Sequence, residues 1–189
     1  MIFIFFGPPG AAKGTPAAIL SRQFNIPHVS TGEILRNNLL GASSQSKKIR
    51  KIIEKGDLVS DEILNEIIKQ KLDSSECKNG YILDGYPRTL SQNDWFQNYL
   101  NFSKLEITKI FDINLDKDVI VKRIKNRAIL ENRNDDTEDV IKNRVNKYIE
   151  ETKPLSKYYL ERNPKNYHLI NGNQEIEMIQ NDILKIVKK

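Results

Sequence analysis

The chain begins with a hydrophobic segment, residues 1–6, that runs directly into a loop rich in glycine and proline. The loop consists of Gly7, Pro8, Pro9, Gly10, Ala11, Ala12, Lys13, Gly14 and Thr15. Apolar residues at helical spacing follow it. A strand, a glycine-rich turn and a helix in this order direct backbone N–H groups and the positive end of the helix toward one point. Residues 7–15 are therefore predicted to bind phosphate, with Lys13 reaching the outer phosphates of a nucleotide and Thr15 near its magnesium ion.

Two residues depart from the general pattern of such loops. The pattern has glycine immediately before the lysine, and this chain has Ala12. Glycine is used where φ is positive or where a ligand approaches closely, and alanine at positive φ costs on the order of 1 kcal/mol. Pro16 falls in the first helical turn, where it removes one possible N–H donor. We expect both residues to weaken phosphate binding.

Segments of strand length alternate with segments of helical spacing along the chain. The predicted strands cover residues 1–6, 27–29, 81–83, 107–113 and 167–170. This alternation predicts a parallel sheet with helices on both faces. Residues 30–33 are predicted to form a capping box at the start of a helix. Two more helices are predicted between residues 41 and 72. They are separated by a break at Gly56 and Asp57, and Ser60 is the predicted N-cap of the second. A helical excursion of this length is typical of a subdomain over an active site.

Composition excludes several classes of protein. The 189 residues, 39% of them hydrophobic, suit one main domain. No apolar run reaches the roughly 18 residues of a membrane span, and no export signal precedes the first strand, so a soluble cytoplasmic protein is expected. Cys77, His28 and His168 lack metal-ligand spacing. The net charge of +5 allows a nucleic-acid partner, but no basic stripe with interleaved aromatic residues accompanies it, so none is expected.

A carboxylate ends the predicted strand at residues 81–83. Asp84 follows that strand directly and precedes the segment Gly85, Tyr86, Pro87 and Arg88. An aspartate at such a position is often only a turn residue. In a sheet with a phosphate-binding loop it can instead orient hydrated Mg²⁺. The residues that follow Asp84 favour the second interpretation.

Four motifs occur in order along the chain. They are the loop of residues 7–15, the segment from Ser30 to Arg36, the segment from Asp84 to Arg88, and the segment from Arg133 to Asp136. Together they closely resemble the adenylate kinases, within the nucleoside monophosphate (NMP) kinases, over essentially the whole chain. The resemblance implies a P-loop NTPase-type three-layer α/β/α fold with a five-stranded parallel sheet and a single kinase domain, residues 1–189. It also implies a helical NMP-binding subdomain at residues 30–59 and a lid of the short form at residues 127–137, for which no zinc is expected.

The resemblance also carries functional residues over at matching positions. ATP would be bound by residues 7–15 together with Arg123 and Arg127. AMP would be bound by Thr31, Gly32, Arg36, Gly56, Asp57, Leu58, Val59, Gly85, Tyr86, Arg88, Gln92, Arg133 and Arg144. The residues implied to act in catalysis are Lys13, Arg88, Arg123, Arg133 and Arg144. Thr15 and Asp84 would hold Mg²⁺ through water.

The positions of the arginines agree with this resemblance. Arg123 and Arg127 stand four residues apart on one predicted helix, where like charges repel unless an anion lies between them. Six of the nine arginines and Lys13 fall at implied phosphate-binding positions. Without these seven charges the rest of the chain would be slightly acidic. The excess of positive charge is therefore interpreted as a set of side chains that bind the phosphates of two nucleotides.

The implied reaction transfers a phosphoryl group from Mg-ATP to AMP and gives two ADP. Thr31 and Gln92 favour AMP over UMP or CMP, because a glutamine amide offers the paired donor and acceptor that adenine requires. A UMP/CMP kinase remains an alternative. So does a nucleotide-binding protein whose catalysis is impaired by Ala12 and Pro16. The expected partners are ATP, AMP and ADP, with no membrane, and the expected state is a monomer.

Overall fold

The computed structural model describes residues 1–38, 44–130 and 137–188. Its sheet has five parallel strands in the order β2-β3-β1-β4-β5. They are β1 (Ile2–Phe6), β2 (His28–Ser30), β3 (Tyr81–Asp84), β4 (Lys109–Asn114) and β5 (Tyr167–Asn171). All five predicted strands are confirmed, with ends that differ by one or two residues.

Helices connect the strands. They are α1 (Gly14–Phe24), α2 (Thr31–Asn38), α3 (Ser44–Glu54), α4 (Asp61–Leu72), α5 (Leu90–Ser103), α6 (Lys117–Leu130), α7 (Glu138–Lys147), α8 (Lys153–Arg162) and α9 (Ile176–Val187). A π-helical turn, Tyr148–Thr152, joins α7 to α8. The predicted break at Gly56 and Asp57 falls between α3 and α4. Ser60 does precede α4, but its side chain makes no capping hydrogen bond.

The sheet separates two hydrophobic cores. Alternate residues of a strand point to opposite faces. Accordingly Ile2, Ile4 and Phe6 pack with residues of α2, α3, α4, α5 and α8, whereas Phe3 and Phe5 pack with residues of α1, α6, α7 and α9. Burying one such side chain stabilises a fold by roughly 1.5–3 kcal/mol. The continuous apolar run of β1 therefore results from a strand covered on both faces, as expected for the central strand of a parallel sheet.

The carboxyl ends of the strands meet at one edge of the sheet. Asp84 at the end of β3 is opposite Phe5 of β1 and opposite Ser30 of β2. The glycine-rich loop leaves β1 at this edge, and α2 begins there directly after Ser30. Ligands of parallel α/β sheets bind outside the carboxyl ends of the strands. Within the described part of the chain, no helix combines the length and apolarity that crossing a membrane requires.

Candidate active site

A cavity of about 990 Å³ opens at this edge of the sheet. It brings together most of the predicted site residues. Those that line it are Gly7, Pro9, Gly10, Ala11, Ala12, Lys13, Gly14, Thr15, Thr31, Gly32, Arg36, Gly56, Asp57, Leu58, Val59, Asp84, Gly85, Arg88, Arg123 and Arg144. Residues far apart in sequence thus face one space, as the two-nucleotide hypothesis requires.

Some predicted site residues are not among those that line the cavity. Pro8 lies in the loop behind its wall, and Tyr86 and Gln92 are fully buried. Arg133 and the side chain of Arg127 lie outside the described residues. Most of the predicted lid, residues 131–136, also lies outside them.

The cavity also has lining residues that the sequence did not single out. They include His28, Lys147 and Gln174. Gln174 follows β5 by three residues, so the rule that functional residues follow the carboxyl ends of parallel strands could have found it. Lys147 lies three residues after Arg144 and therefore on the same side of α7. His28 carries no comparable signal, because it is an isolated histidine inside a short strand.

Lys13 is held over the glycine-rich loop. Its Nζ donates to the carbonyl oxygen of Gly7 at 2.9 Å and to that of Pro8 at 3.0 Å. The loop is closed by a hydrogen bond from the Ala11 N–H to the Pro8 carbonyl at 3.1 Å. Lys13 itself is the N-cap of α1. The lysine ammonium and the positive end of α1 are therefore concentrated at one point, an arrangement suited to polyphosphate.

Ala12 has φ 57°, in the left-handed region that L residues avoid. Of the two reasons for glycine at this position, a positive φ and a close approach of the ligand, the first therefore applies, and the strain is about 1 kcal/mol. Gly10 differs, because it combines φ 80° with a close approach to α6. A Cβ built there would lie 3.2 Å from the Ile120 carbonyl oxygen. The loop thus tolerates alanine at position 12, at a cost in strain, and has little room for an alanine side chain at position 10.

Asp84 is ionised beside this loop. His28 Nε2 lies 3.2 Å from Asp84 Oδ2, and because a carboxylate only accepts, the imidazole N–H is the donor. Burial by itself would raise the pKa of Asp84. The hydrogen bond from His28 and the positive charges of Lys13 and Arg88 outweigh burial and hold that pKa below its usual value. An ionised carboxylate is the hard oxygen donor that Mg²⁺ prefers, so Asp84 fits a magnesium-orienting role.

Gly85 allows Thr31 and Arg88, two of the predicted AMP-binding residues, to converge. Thr31 Oγ1 donates to the Gly85 carbonyl oxygen at 2.8 Å, and Arg88 Nε donates to the same oxygen at 2.8 Å. Gly85 has φ 77°, and a Cβ there would lie 2.8 Å from both Arg88 Nη2 and Thr31 Oγ1. Glycine is therefore required by backbone conformation and by space. This geometry fixes the Arg88 guanidinium at the wall of the cavity.

Arg123 contributes a half-buried cation with unused hydrogen-bonding capacity at one nitrogen. Its Nη2 donates to the Gln174 carbonyl oxygen, whereas its Nη1 is buried and has no hydrogen-bond partner among the described residues. A buried donor without a partner costs roughly 1–3 kcal/mol, and more when it is charged. An anion bound in the cavity would offset this cost. Arg123 thus has the character of a phosphate ligand.

The turn at residues 55–57 is tied to α7, the helix that carries Arg144. Asn143 Nδ2 donates to the Lys55 carbonyl oxygen at 2.8 Å and to Asp57 Oδ1 at 2.9 Å. A Cβ at Gly56 would lie 3.0 Å from Arg144 Cγ, so the turn and the helix are in close contact. These contacts bring residues 56–59, part of the predicted AMP site, next to Arg144.

Comparison with known proteins agrees with this geometry. The family model described as adenylate kinase matches residues 5–164. The adenylate kinase of Leptospira biflexa is 39% identical over 184 residues, covering 97% of this chain and 98% of the relative. That of Rickettsia africae is 36% identical and that of Thermosipho africanus 33%, each over 216 aligned positions that cover 100% of this chain and at least 99% of the relative.

The family model covers most of the chain, and the relatives cover 97–100% of it. The five-stranded parallel sheet and the glycine-rich loop after β1 agree with these matches. The chain therefore belongs to the adenylate kinase family.

Proposed function

We propose that this protein is an ATP:AMP phosphotransferase that reversibly transfers the γ-phosphoryl group of ATP to AMP and forms two ADP. The observation that carries the proposal is the single cavity in which the Lys13 loop faces Arg88 and Arg144. Membership of the adenylate kinase family supports it. ATP would occupy the loop of residues 7–15 and AMP the wall formed by α2 and residues 56–59 and 85–88.

The proposed chemistry needs no general base, because the attacking oxygen of AMP is already ionised on a phosphate. Catalysis then consists of positioning and of stabilising charge on the transferred group. Lys13 and Arg123 would bind the donor phosphates, and Arg88 and Arg36 the acceptor phosphate. Arg144 would lie between the two. Arginine suits these positions because its planar fork binds two phosphate oxygens at once.

Thr15 and Asp84 are the residues that would hold Mg²⁺, through water. When it is bound with ATP, the ion neutralises phosphate charge. The ionised state of Asp84 and its position beside the loop support this assignment.

Exclusion of water is the proposed role of two segments. The NMP-binding subdomain, residues 30–59, and the short lid, residues 127–137, would close over the bound nucleotides within one kinase domain. Arg127 and Arg133 would then complete the phosphate clamp. Closure prevents transfer of the phosphoryl group to water, and reopening can limit turnover. We further propose that the protein acts as a cytoplasmic monomer.

Adenine is the proposed acceptor base, with Thr31 and Gln92 selecting it. Gln92 is fully buried. It lies directly behind the cavity wall, because its Oε1 accepts a hydrogen bond from the backbone N–H of Arg88, which lines the cavity, at 2.7 Å. Its amide would offer one donor and one acceptor to the adenine edge once the wall that covers it opens, since Gln92 does not line the cavity.

A coupled assay for ADP with AMP, UMP and CMP as alternative acceptors tests the proposal. With Mg-ATP, we expect AMP-dependent turnover within the usual enzyme range of about 1–10³ s⁻¹ and little with the pyrimidine nucleotides. Chelating Mg²⁺ should abolish it. A preference for CMP or UMP would identify the protein as a UMP/CMP kinase. Nucleotide binding without ADP formation would identify a binding protein instead.

A further inference from the structure

Asp61, the first residue of α4, contacts the acceptor loop through both oxygens of its carboxylate. Oδ1 accepts from Gln92 Nε2 at 2.7 Å, and Oδ2 accepts from Thr89 Oγ1 at 3.0 Å. Asp61 is not among the residues that line the main cavity. It lines a smaller neighbouring cavity of about 560 Å³. Any influence on catalysis must therefore pass through the residues that it holds.

The contact with Asp61 determines which way the Gln92 amide faces. A carboxylate only accepts hydrogen bonds, so Nε2 must face Asp61. The backbone N–H of Arg88 only donates, so Oε1 must face Arg88, at 2.7 Å. The reversed amide would place two acceptors together at one end and two donors at the other. Among the described residues, these contacts leave one N–H and one lone pair of the buried amide without a hydrogen bond, and in the proposed function these are the groups that recognise adenine.

Thr89 extends the same network to the start of α5. Its hydroxyl donates to Asp61 and accepts the N–H of Gln92 at 3.0 Å, so Thr89 is both the helix cap and a partner of Asp61. The Arg88 carbonyl oxygen in turn accepts from Thr152 Oγ1 at 2.8 Å. The segment from Arg88 to Gln92 is thus held on both sides, and Asp61 is its anchor on α4.

We propose that Asp61 is a positioning residue of the acceptor site, which fixes the Gln92 amide in the orientation that recognises adenine and holds the loop that carries Arg88. The inference rests on the proposed function, since it assigns Asp61 a part in AMP selection. A residue that acts only on acceptor binding changes KM for that acceptor and leaves kcat nearly unchanged.

The test compares Asp61→Ala with Asp61→Asn. Alanine removes both contacts, so kcat/KM for AMP should fall about tenfold, and the preference for AMP over CMP should fall with it. KM for ATP and kcat at saturating AMP should stay within about twofold. Asparagine can still accept from Gln92 and can donate to a lone pair of Thr89 Oγ1, so Asp61→Asn should keep the wild-type values. Glu62→Ala, at the exposed next position of the same helix turn, is the matched control.

A double-mutant cycle with Gln92→Leu shows whether Asp61 acts through Gln92. In the Gln92→Leu background, Asp61→Ala should cause no further loss of preference for AMP over CMP. An unchanged KM and an unchanged preference in Asp61→Ala would overturn the inference, as would fully additive losses in the cycle. If Asp61→Ala loses its melting transition, Asp61→Ser replaces it, because serine keeps a polar group at the helix start but is too short to reach Gln92.

Failure of this inference differs from failure of the proposed function. If the wild-type protein makes ADP from ATP and AMP while Asp61→Ala behaves like wild type, only the role of Asp61 is lost. If the wild-type protein makes no ADP with AMP, the proposed function itself is wrong, and the role of Asp61 in AMP selection falls with it.

Discussion

The two ends of the cavity are built in different ways. At the proposed donor end, two hydrogen bonds of Lys13 Nζ reach back five and six residues, to Pro8 and Gly7. At the acceptor end, Thr31 reaches Gly85 across 54 positions and Gln92 reaches Asp61 across 31. One continuous loop therefore forms the centre of the proposed donor end, with Arg123 of α6 beside it, whereas tertiary packing assembles the proposed acceptor end.

Because of this difference, substitutions should disturb the two ends in different ways. The donor end depends on backbone conformation within one short segment, so its strain is local and is concentrated at Ala12. The acceptor end depends on side chains from several elements, so one substitution disturbs several ligand contacts at once. Substitutions that weaken only ground-state binding should consequently raise KM for ATP at the donor end and KM for AMP at the acceptor end.

Removing the ammonium at the donor end should have the largest effect. Lys13→Met keeps the length of the side chain but removes a charge that would face the developing phosphoryl charge. We expect kcat to fall by about 10²–10³-fold, as for the loss of one transition-state donor. Steady-state kinetics measures the loss, and a melting curve near that of the wild type shows that the fold persists.

Lys165→Met is the control for this variant, because Lys165 is exposed and does not line the cavity. It should leave kcat unchanged. A Lys13→Met variant with wild-type kcat would contradict the assignment of residues 7–15 as the phosphate-binding loop.

A smaller effect is expected at the acceptor end from Gly85→Ala. The added Cβ would lie 2.8 Å from Arg88 Nη2 and from Thr31 Oγ1, at a residue with φ 77°. We expect KM for AMP to rise about tenfold, KM for ATP to stay constant, and the free energy of unfolding to fall by about 1–2 kcal/mol. Kinetics with each substrate varied separately, together with urea unfolding, measures these changes. Equal changes in both KM values would mean that the two ends are not independent.

The smallest effect should come from relieving strain at the donor end. Ala12→Gly removes the cost of φ 57°, about 1 kcal/mol, so KM for ATP should fall by up to about fivefold. Ala11→Gly is the matched control, and its effect on stability should have the opposite sign, because Ala11 is fully buried and is not among the residues with positive φ. That variant should be less stable than the wild type. If Ala12→Gly has the same KM for ATP and the same stability as the wild type, the strain at Ala12 has no consequence.

The same contrast explains how much could be predicted from the sequence. The strands, the glycine-rich loop and the positive φ of Ala12 follow from local patterns, since apolar runs and glycine spacing reflect nearby backbone geometry. The links of Asp61 to Gln92 and of Asn143 to Asp57 were not predicted. They join residues 31 and 86 positions apart, and no periodicity or motif marks such a pair. Asp61 also fits a purely local pattern, an acidic residue at a helix start, and that pattern gives no sign of its contacts with Gln92 and Thr89.

Binding of a ligand that spans both ends tests most directly whether one cavity accepts two nucleotides with their phosphates facing each other. The ligand has two adenosines joined by a chain of phosphates, and isothermal titration measures its stoichiometry and Kd beside those of ATP and AMP. We predict one ligand per chain and a Kd at least 100-fold below that of either nucleotide, because joining the two halves makes the second contact intramolecular. Two ligands per chain, or a Kd no lower than that of ATP, would contradict the account.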